Sequence, residues 1–154
     1  MDRAIRFAQN QYKSVSAYVK RIDSTKTVHI GESGWASASN GFYGSDYSNA
    51  ADEYKAGEYY RRMRTWTNEA QISLFYFEIF DEQWKDSANP GGSENHFGLI
   101  NLEGQAKYAL WDWVDEGVFY GLKRDGKTIT KTHSGNFRAL QENVLSQIPV
   151  RSKK

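Results

Sequence analysis

The chain has 154 residues, 39% of them apolar and 15% aromatic, with a formal charge of +1 at pH 7 and no cysteine. That length suits one ordinary domain with enough apolar mass for a core, and the balanced charge argues against a nucleic-acid or anionic-membrane surface as the main partner, since both need a concentrated positive field. Disulfides and thiolate metal sites are excluded, and no apolar run is long enough to span a bilayer.

Ala4, Phe7, Ala8, Tyr12, Val15, Tyr18 and Val19 recur at three- and four-residue steps, which predicts an opening amphipathic helix ending near Lys20. "KTVHIGE" follows as a strand, and "SASNGFYGSDYSNA", rich in Ser, Asn and Gly, as a long loop after its C-terminal end. A second helix is expected from about Asn49 to Ala70, capped by Ser48, with Asp52 and Glu53 early and Arg61, Arg62 and Arg64 late, the order the macrodipole favours. "ISLFYFEIF" reads as a nearly continuous apolar strand of a parallel sheet, followed by the polar loop "DEQWKDSANPGGSENHFG". Helix, strand and loop thus occur twice in the same order, the rhythm of right-handed βα units. Further on, "QAKYALWDWVDEG" reads as a helix closed by Gly117, Asp125-Gly126 as a hairpin turn, and "NFRALQENVLSQI" as a last amphipathic helix stopped by Pro149.

Two-residue alternation puts Val28, Ile30 and Glu32 on one face of the first strand, so Glu32 continues an inward-facing row at the strand's C-terminal end. In parallel α/β folds that end carries the chemistry, yet spacing alone leaves a surface glutamate and a functional one equally open. In the second strand Tyr76, Glu78, Phe80 and Glu82 share a face and Asp81 points the other way, with Lys85 the nearest cation. Ionised carboxylates are costly to bury unless paired, hydrogen-bonded or in contact with a ligand. Paired carboxylates beside aromatic surfaces suit glycoside hydrolysis. Trp35, Phe42, Tyr43 and Trp84 fall in the two loops that would flank such a cleft, with a core position as the competing reading for each. No metal or cofactor is expected: His29 and Glu32 face opposite sides of a strand, and "NPGGSEN" lacks the ending a phosphate loop requires.

"HIGESGWAS" resembles the nucleophile-bearing strand of glycoside hydrolase family 17, whose usual form is Glu-Ser/Thr-Gly-Trp, often followed by Pro where this chain has Ala36. "YFEIFDEQWK" and, after a gap, "SENHFGLINLEGQAKYALWD" resemble the family's eighth strand and the loop after it, so the likeness covers roughly Ala4 to Trp113. It implies a (β/α)8 barrel enzyme acting on β-1,3-glucan with retention of configuration, by hydrolysis or transfer. Glu32 takes the nucleophile's place; Glu82, Lys85 and Glu94 match the polar network that positions nucleophile and substrate, and Trp35 the Trp beside the nucleophile. Glu78, Phe42, Tyr43 and Trp84 join these as substrate-binding support.

A complete barrel needs about 250 residues. The expected fold is therefore α/β, the C-terminal portion of a (β/α)8 barrel with what resemble strands seven and eight, residues 1–117 forming the βα units and 118–154 a hairpin and helix packed on them. The family's acid/base glutamate lies on the fourth strand; Asn68-Glu69 superficially matches it but falls in the last turn of a helix, at the wrong end of a strand. Without that acid, a contribution of about 10²–10⁴-fold is missing, and the isolated chain is expected to be inactive or nearly so on unactivated glucan. Expected partners are a β-1,3-glucan and either a second copy or a complementing N-terminal half, with no nucleic acid and no membrane. By the resemblance, the location is extracellular or periplasmic. Two competing readings are a non-catalytic glucan-binding remnant and a half-barrel assembly module that uses its open strand edges.

Overall fold

The structure, a computed structural model, describes residues 1–41 and 50–147. Helix α1, Asp2–Ile22, forms as its periodicity dictates and runs two residues past Lys20 before the Asp23 N–H closes on the Val19 carbonyl. Its buried Ile5 meets Tyr59 and Met63 of α2, Glu53–Glu69, and half-buried Ala4 and Ala8 join the same cluster. The cap of α2 is Asp52, not Ser48, which with Asn49 lies outside the described residues. Asp52 is 2% exposed, its Oδ1 accepts the Lys55 N–H at 2.7 Å, and its Oδ2 is 2.7 Å from Lys55 Nζ. A carboxylate at that position satisfies an orphan donor and meets the positive end of the helix dipole.

The helices cover one face of a parallel pair, β1 (Ile30–Ser33) and β2 (Leu74–Tyr76), in which Ile30 lies opposite Leu74 and Ser33 opposite Tyr76. β1 spends one residue more than β2 between those partners, which is a β-bulge. The bulge corrects the alternation expected of this strand. Ile30 and Ser33 both face the helices, Ile30 against the α1–α2 cluster and Ser33 Oγ 2.8 Å from Tyr59 Oη, while Gly31 and Glu32 are exposed. Glu32 therefore does not continue the Val28–Ile30 row.

The second strand is shorter than its apolar run. β2 ends at Tyr76, the Phe77 N–H still donates to the Ser33 carbonyl of β1 at 2.9 Å, the Phe77–Glu78 peptide bond is cis, and from Glu78 on the chain pairs with residues 97–100. The Leu99 N–H donates to the Glu78 carbonyl at 3.0 Å, and the Asp81 N–H to the Ile100 carbonyl at 3.0 Å. Tyr76, Glu78, Phe80 and Glu82 consequently do not share one face: Tyr76 packs on the core, Phe80 is exposed, and Asp81 is the residue turned fully inward. A loop that folds back to bond its own strand was invisible to a rule that treats each strand alone.

Where one helix was expected over "QAKYALWDWVDEG" the chain makes a short strand β3 (Gln105–Ala106), a 3₁₀ turn over Tyr108–Leu110 and a short helix α3 (Trp111–Asp115). Gly117, at φ +74°, ends α3, with the Val118 N–H returning to the Trp113 carbonyl at 2.9 Å. The hairpin of β4 (Lys123–Arg124) and β5 (Lys127–Thr128) turns at Asp125 and Gly126, both at positive φ as its two-residue turn requires. Strand β6 (Thr130–Lys131) pairs in parallel with β3. Helix α4, Phe137–Ser146, is capped by Asn136, whose Oδ1 accepts the Arg138 and Ala139 N–H groups, and Pro149 lies outside the described residues. The second core cluster joins Tyr60 of α2 to Leu99, Ile100, Ala106, Leu110 and Ile129. Among the described residues there are three two-stranded sheets and no closed barrel.

Gly34, just past β1, is required by close approach: a Cβ there would overlap the Phe77 carbonyl oxygen, whereas one at Gly31 would meet nothing within 4 Å. Gly34→Ala should therefore cost roughly 1–3 kcal/mol of unfolding free energy in urea titrations, and Gly31→Ala should stay within about 0.5 kcal/mol of the parent.

Candidate active site

The loop after β2 turns Lys85 back over the end of its own strand. Its Nζ sits 2.7 Å from Glu78 Oε2 and 3.3 Å from Glu82 Oε2, and 3.6 Å from the centre of the Phe77 ring. The side chains of Lys85 and Glu78 are 14% and 13% exposed and that of Glu82 is 35% exposed, so the cluster is shielded yet reachable from the Glu82 side. Burial pushes the Glu78 carboxyl above its ordinary value, Lys85 pulls it back down, the Glu82 charge raises it again, and the net direction is up. For Lys85 burial acts downward, but the hydrogen bonds and charges of Glu78 and Glu82 outweigh it, so the ammonium is held more firmly than usual. The arrangement is a fixed cation between two carboxyls, one of which binds a proton more readily than an ordinary glutamate. Glu78 Oε1 is buried without a hydrogen-bond partner among the described residues. Trp84, next to Lys85 in sequence, is 73% exposed and presents a flat apolar ring at the rim.

The other expected residues are placed differently. Glu32 is exposed in β1, and its carboxylate forms no hydrogen bond or ion pair among the described residues. Trp35 turns toward the helices: its indole N–H donates to the Ala50 carbonyl at 2.9 Å and its ring lies 5.2 Å from that of Tyr59. Glu94 is exposed on a 3₁₀ turn, Ser93–Asn95, that buried Asn95 anchors through Asp86 and Asn89, and it is not paired with Lys85. Phe42 and Tyr43 lie outside the described residues. The structure thus joins Glu78, Glu82, Lys85 and Trp84 into one cluster. It does not bring Glu94 or Trp35 into contact with Lys85.

Sequence reasoning passed over a second lysine. Lys107, whose side chain is 7% exposed, reaches Asp81 Oδ1 at 2.6 Å and Ser37 Oγ at 2.6 Å, behind the strand ends. Burial pushes the Lys107 ammonium down from its ordinary value, against the upward pull of Asp81. The available signal was Asp81 itself, an acid on the opposite parity from its neighbours, which implied a buried cation elsewhere in the chain.

Parallel strands that deliver carboxyls into loops at one sheet end, with helices over one face, are an α/β arrangement of the kind in which the strand ends carry the chemistry. The sequence model of Glycosyl hydrolases family 17 matches residues 11–111. The chain belongs to that family. It is 36% identical over 107 residues to a basic vacuolar glucan endo-1,3-beta-glucosidase of Nicotiana tabacum, which covers 69% of this chain and 27% of the relative. It is 34% identical over 93 residues to a glucan 1,3-beta-glucosidase of Arthroderma benhamiae, over 55% of this chain and 28% of the relative. The solved structure of an endo-laminarinase from Formosa Hel1_33_131 superposes on all of this chain with a TM-score of 0.87 and 55% identity, using 39% of its own length. The chain thus spans between about a quarter and two fifths of the length of these relatives.

A carboxyl raised on folding takes up protons as the chain folds, so stability falls as pH rises from 4.5, the ordinary glutamate value, through the raised folded value. Glu78→Gln removes that group, and urea unfolding from about pH 4 to about pH 7 should show a flatter profile for the variant than for the parent.

Proposed function

We propose that the chain is part of a retaining β-1,3-glucan hydrolase or transglucosylase, the portion that carries the nucleophile, Glu32. Glu78, Glu82, Lys85 and Glu94 shape the polar surroundings, and Trp84 offers its exposed face to a sugar ring. Trp35 stands three residues past Glu32 in the chain, and Phe42 and Tyr43, which lie outside the described residues, are kept as sugar contacts on the sequence alone. The supporting observation is the parallel pairing of β1 with β2, Ser33 opposite Tyr76, because parallel strands leave the sheet at the same end. The segments that follow β1 and β2 therefore leave the sheet at the same end. Lys85, cationic beside two carboxyls, keeps negative charge near the sugar compensated. The two strands take the positions of the seventh and eighth in the barrel.

In this reading the carboxyl that protonates the leaving oxygen comes from outside this chain. The free edge of β1 faces a groove of about 820 Å³, lined by Phe7, Val15 and Gln11 of α1 and by Val28, His29 and Glu32. An edge unpaired among the described residues and beside an apolar helix face fits a further strand, so a complementing N-terminal half is the expected partner, with self-association as the competing use of the edge. An extracellular or periplasmic location belongs with a glucan substrate; the tobacco relative is vacuolar by name.

A second reading, a glucan-binding remnant without turnover, draws on the exposure of Trp84 and on the absence of any hydrogen bond to Glu32 among the described residues. Titrating laminarin oligosaccharides against the chain while assaying cleavage separates the two, binding without turnover favouring the remnant. Supplying the remaining βα units as a separate polypeptide should restore cleavage. Glu32→Gln should then abolish it and Glu69→Gln leave it largely intact, and equal losses from the two variants would refute the nucleophile assignment. Light scattering of the chain alone should show association rather than a stable monomer.

A further inference from the structure

The three segments expected to carry the site are far apart in sequence: one follows β1, one follows β2, and one is the returning loop that holds Glu94. Each is bound to the same buried atom. Lys107 Nζ lies 2.6 Å from Ser37 Oγ, 2.6 Å from Asp81 Oδ1 and 3.5 Å from the His96 carbonyl oxygen. Ser37 is two residues past Trp35, Asp81 is adjacent to Glu82, and His96 is two residues past Glu94. We propose that Lys107 is a positioning residue that fixes these three segments relative to one another through its three ammonium hydrogens.

The acceptors are themselves tied together, so the lysine closes a network rather than a single pair. Ser37 Oγ donates to the His96 carbonyl at 2.9 Å, the same carbonyl accepts the Ser37 N–H at 2.9 Å, and Asp81 Oδ1 also accepts the Gly98 N–H at 2.9 Å. The Lys107 backbone belongs to the frame as well, its N–H donating to the Leu99 carbonyl at 2.9 Å. An apolar side chain would fill the same volume. It would not define three directions. Buried ion pairs seldom add net stability over apolar replacements, and their best-attested use is to select one arrangement of the groups around them. An ammonium with each hydrogen assigned to a different segment is such a selector, and a slip of any one segment would leave a buried donor or acceptor unpaired. Its relevance to glucan chemistry rests on the reading of Glu32, Glu82 and Lys85 given above.

Tryptophan indole resonances test this directly, because Trp35 and Trp84 sit on two of the segments while Trp66, a residue of α2 edge-on to Tyr12 of α1, sits on none of them. The double variant Lys107→Met with Asp81→Asn removes both charges yet keeps an acceptor for the Gly98 N–H. Well below its melting temperature, the indole N–H signals of Trp35 and Trp84 should shift and broaden while that of Trp66 stays in place. Unmoved Trp35 and Trp84 signals in a variant that has merely lost melting temperature would overturn the proposal and leave Lys107 a structural residue. Should the double variant fail to fold, Ser37→Ala, which deletes one acceptor, decides in the same way through the Trp35 signal. Titration of the unmodified chain with laminarihexaose runs in parallel. Absence of binding there counts against the glucan reading, whereas the indole spectra decide the positioning claim independently.

Discussion

A parallel strand pair whose helices cover one face only sets most of what this molecule shows. Leu74, Tyr76, Ile30 and Ser33 turn to the covered side and find Tyr59, Tyr60 and Met63 there. Among the described residues no layer covers the other side, where Phe75 of β2 is 65% exposed, and Glu32 is exposed beside the groove it shares with α1. Among the described residues the outer edge of β1 is also unpaired. In a closed barrel such an edge is paired to a neighbouring strand and the inner face is filled by side chains of the other strands.

Two lysines near the strand ends have opposite environments and opposite consequences. Lys85 is reached from the solvent side through Glu82, stacks on Phe77 and balances two carboxyls, which makes its surroundings a polar surface able to meet a ligand. Lys107 is enclosed, and its hydrogens are committed to Ser37, Asp81 and the His96 carbonyl. One ammonium can therefore be approached past Glu82 while the other is enclosed by protein. The contrast follows from solvation: an ammonium retains free hydrogen-bonding capacity for a ligand only where water can also reach it, and a buried one must be saturated by protein acceptors.

Glycine and asparagine placement explains why the local motifs look as they do. Gly34 follows the strand because the Phe77 carbonyl occupies the space a side chain would need. Asn95 is fully buried in the long loop, and its side chain bonds the Asp86 backbone on both sides and the Asn89 carbonyl, so a loop rich in Gly and Ser is pinned from within. Residues that look like punctuation in the sequence are here the points at which two parts of the chain touch.

Helical period and turn chemistry are local, and they were legible from the residues alone: α1, the body of α2, the Asp125-Gly126 hairpin and α4 all stand near where periodicity and turn residues put them. The succession of βα units and the family likeness were legible too, since two motifs in order carry information that single positions do not. The bulge that frees Glu32, the turning away of the chain after Tyr76 and the choice of Glu78 as the nearer partner of Lys85 were not. The first two depend on hydrogen bonds to a segment distant in sequence, β2 for the bulge and residues 97–100 for the turning, and the third on the course the chain takes after that turning. Lys107 makes the division plain. Its sequence neighbours mark it as one more polar residue near a strand, and only the packing of three remote segments around it, where water is excluded and every donor must find an acceptor, turns it into a bracing cation.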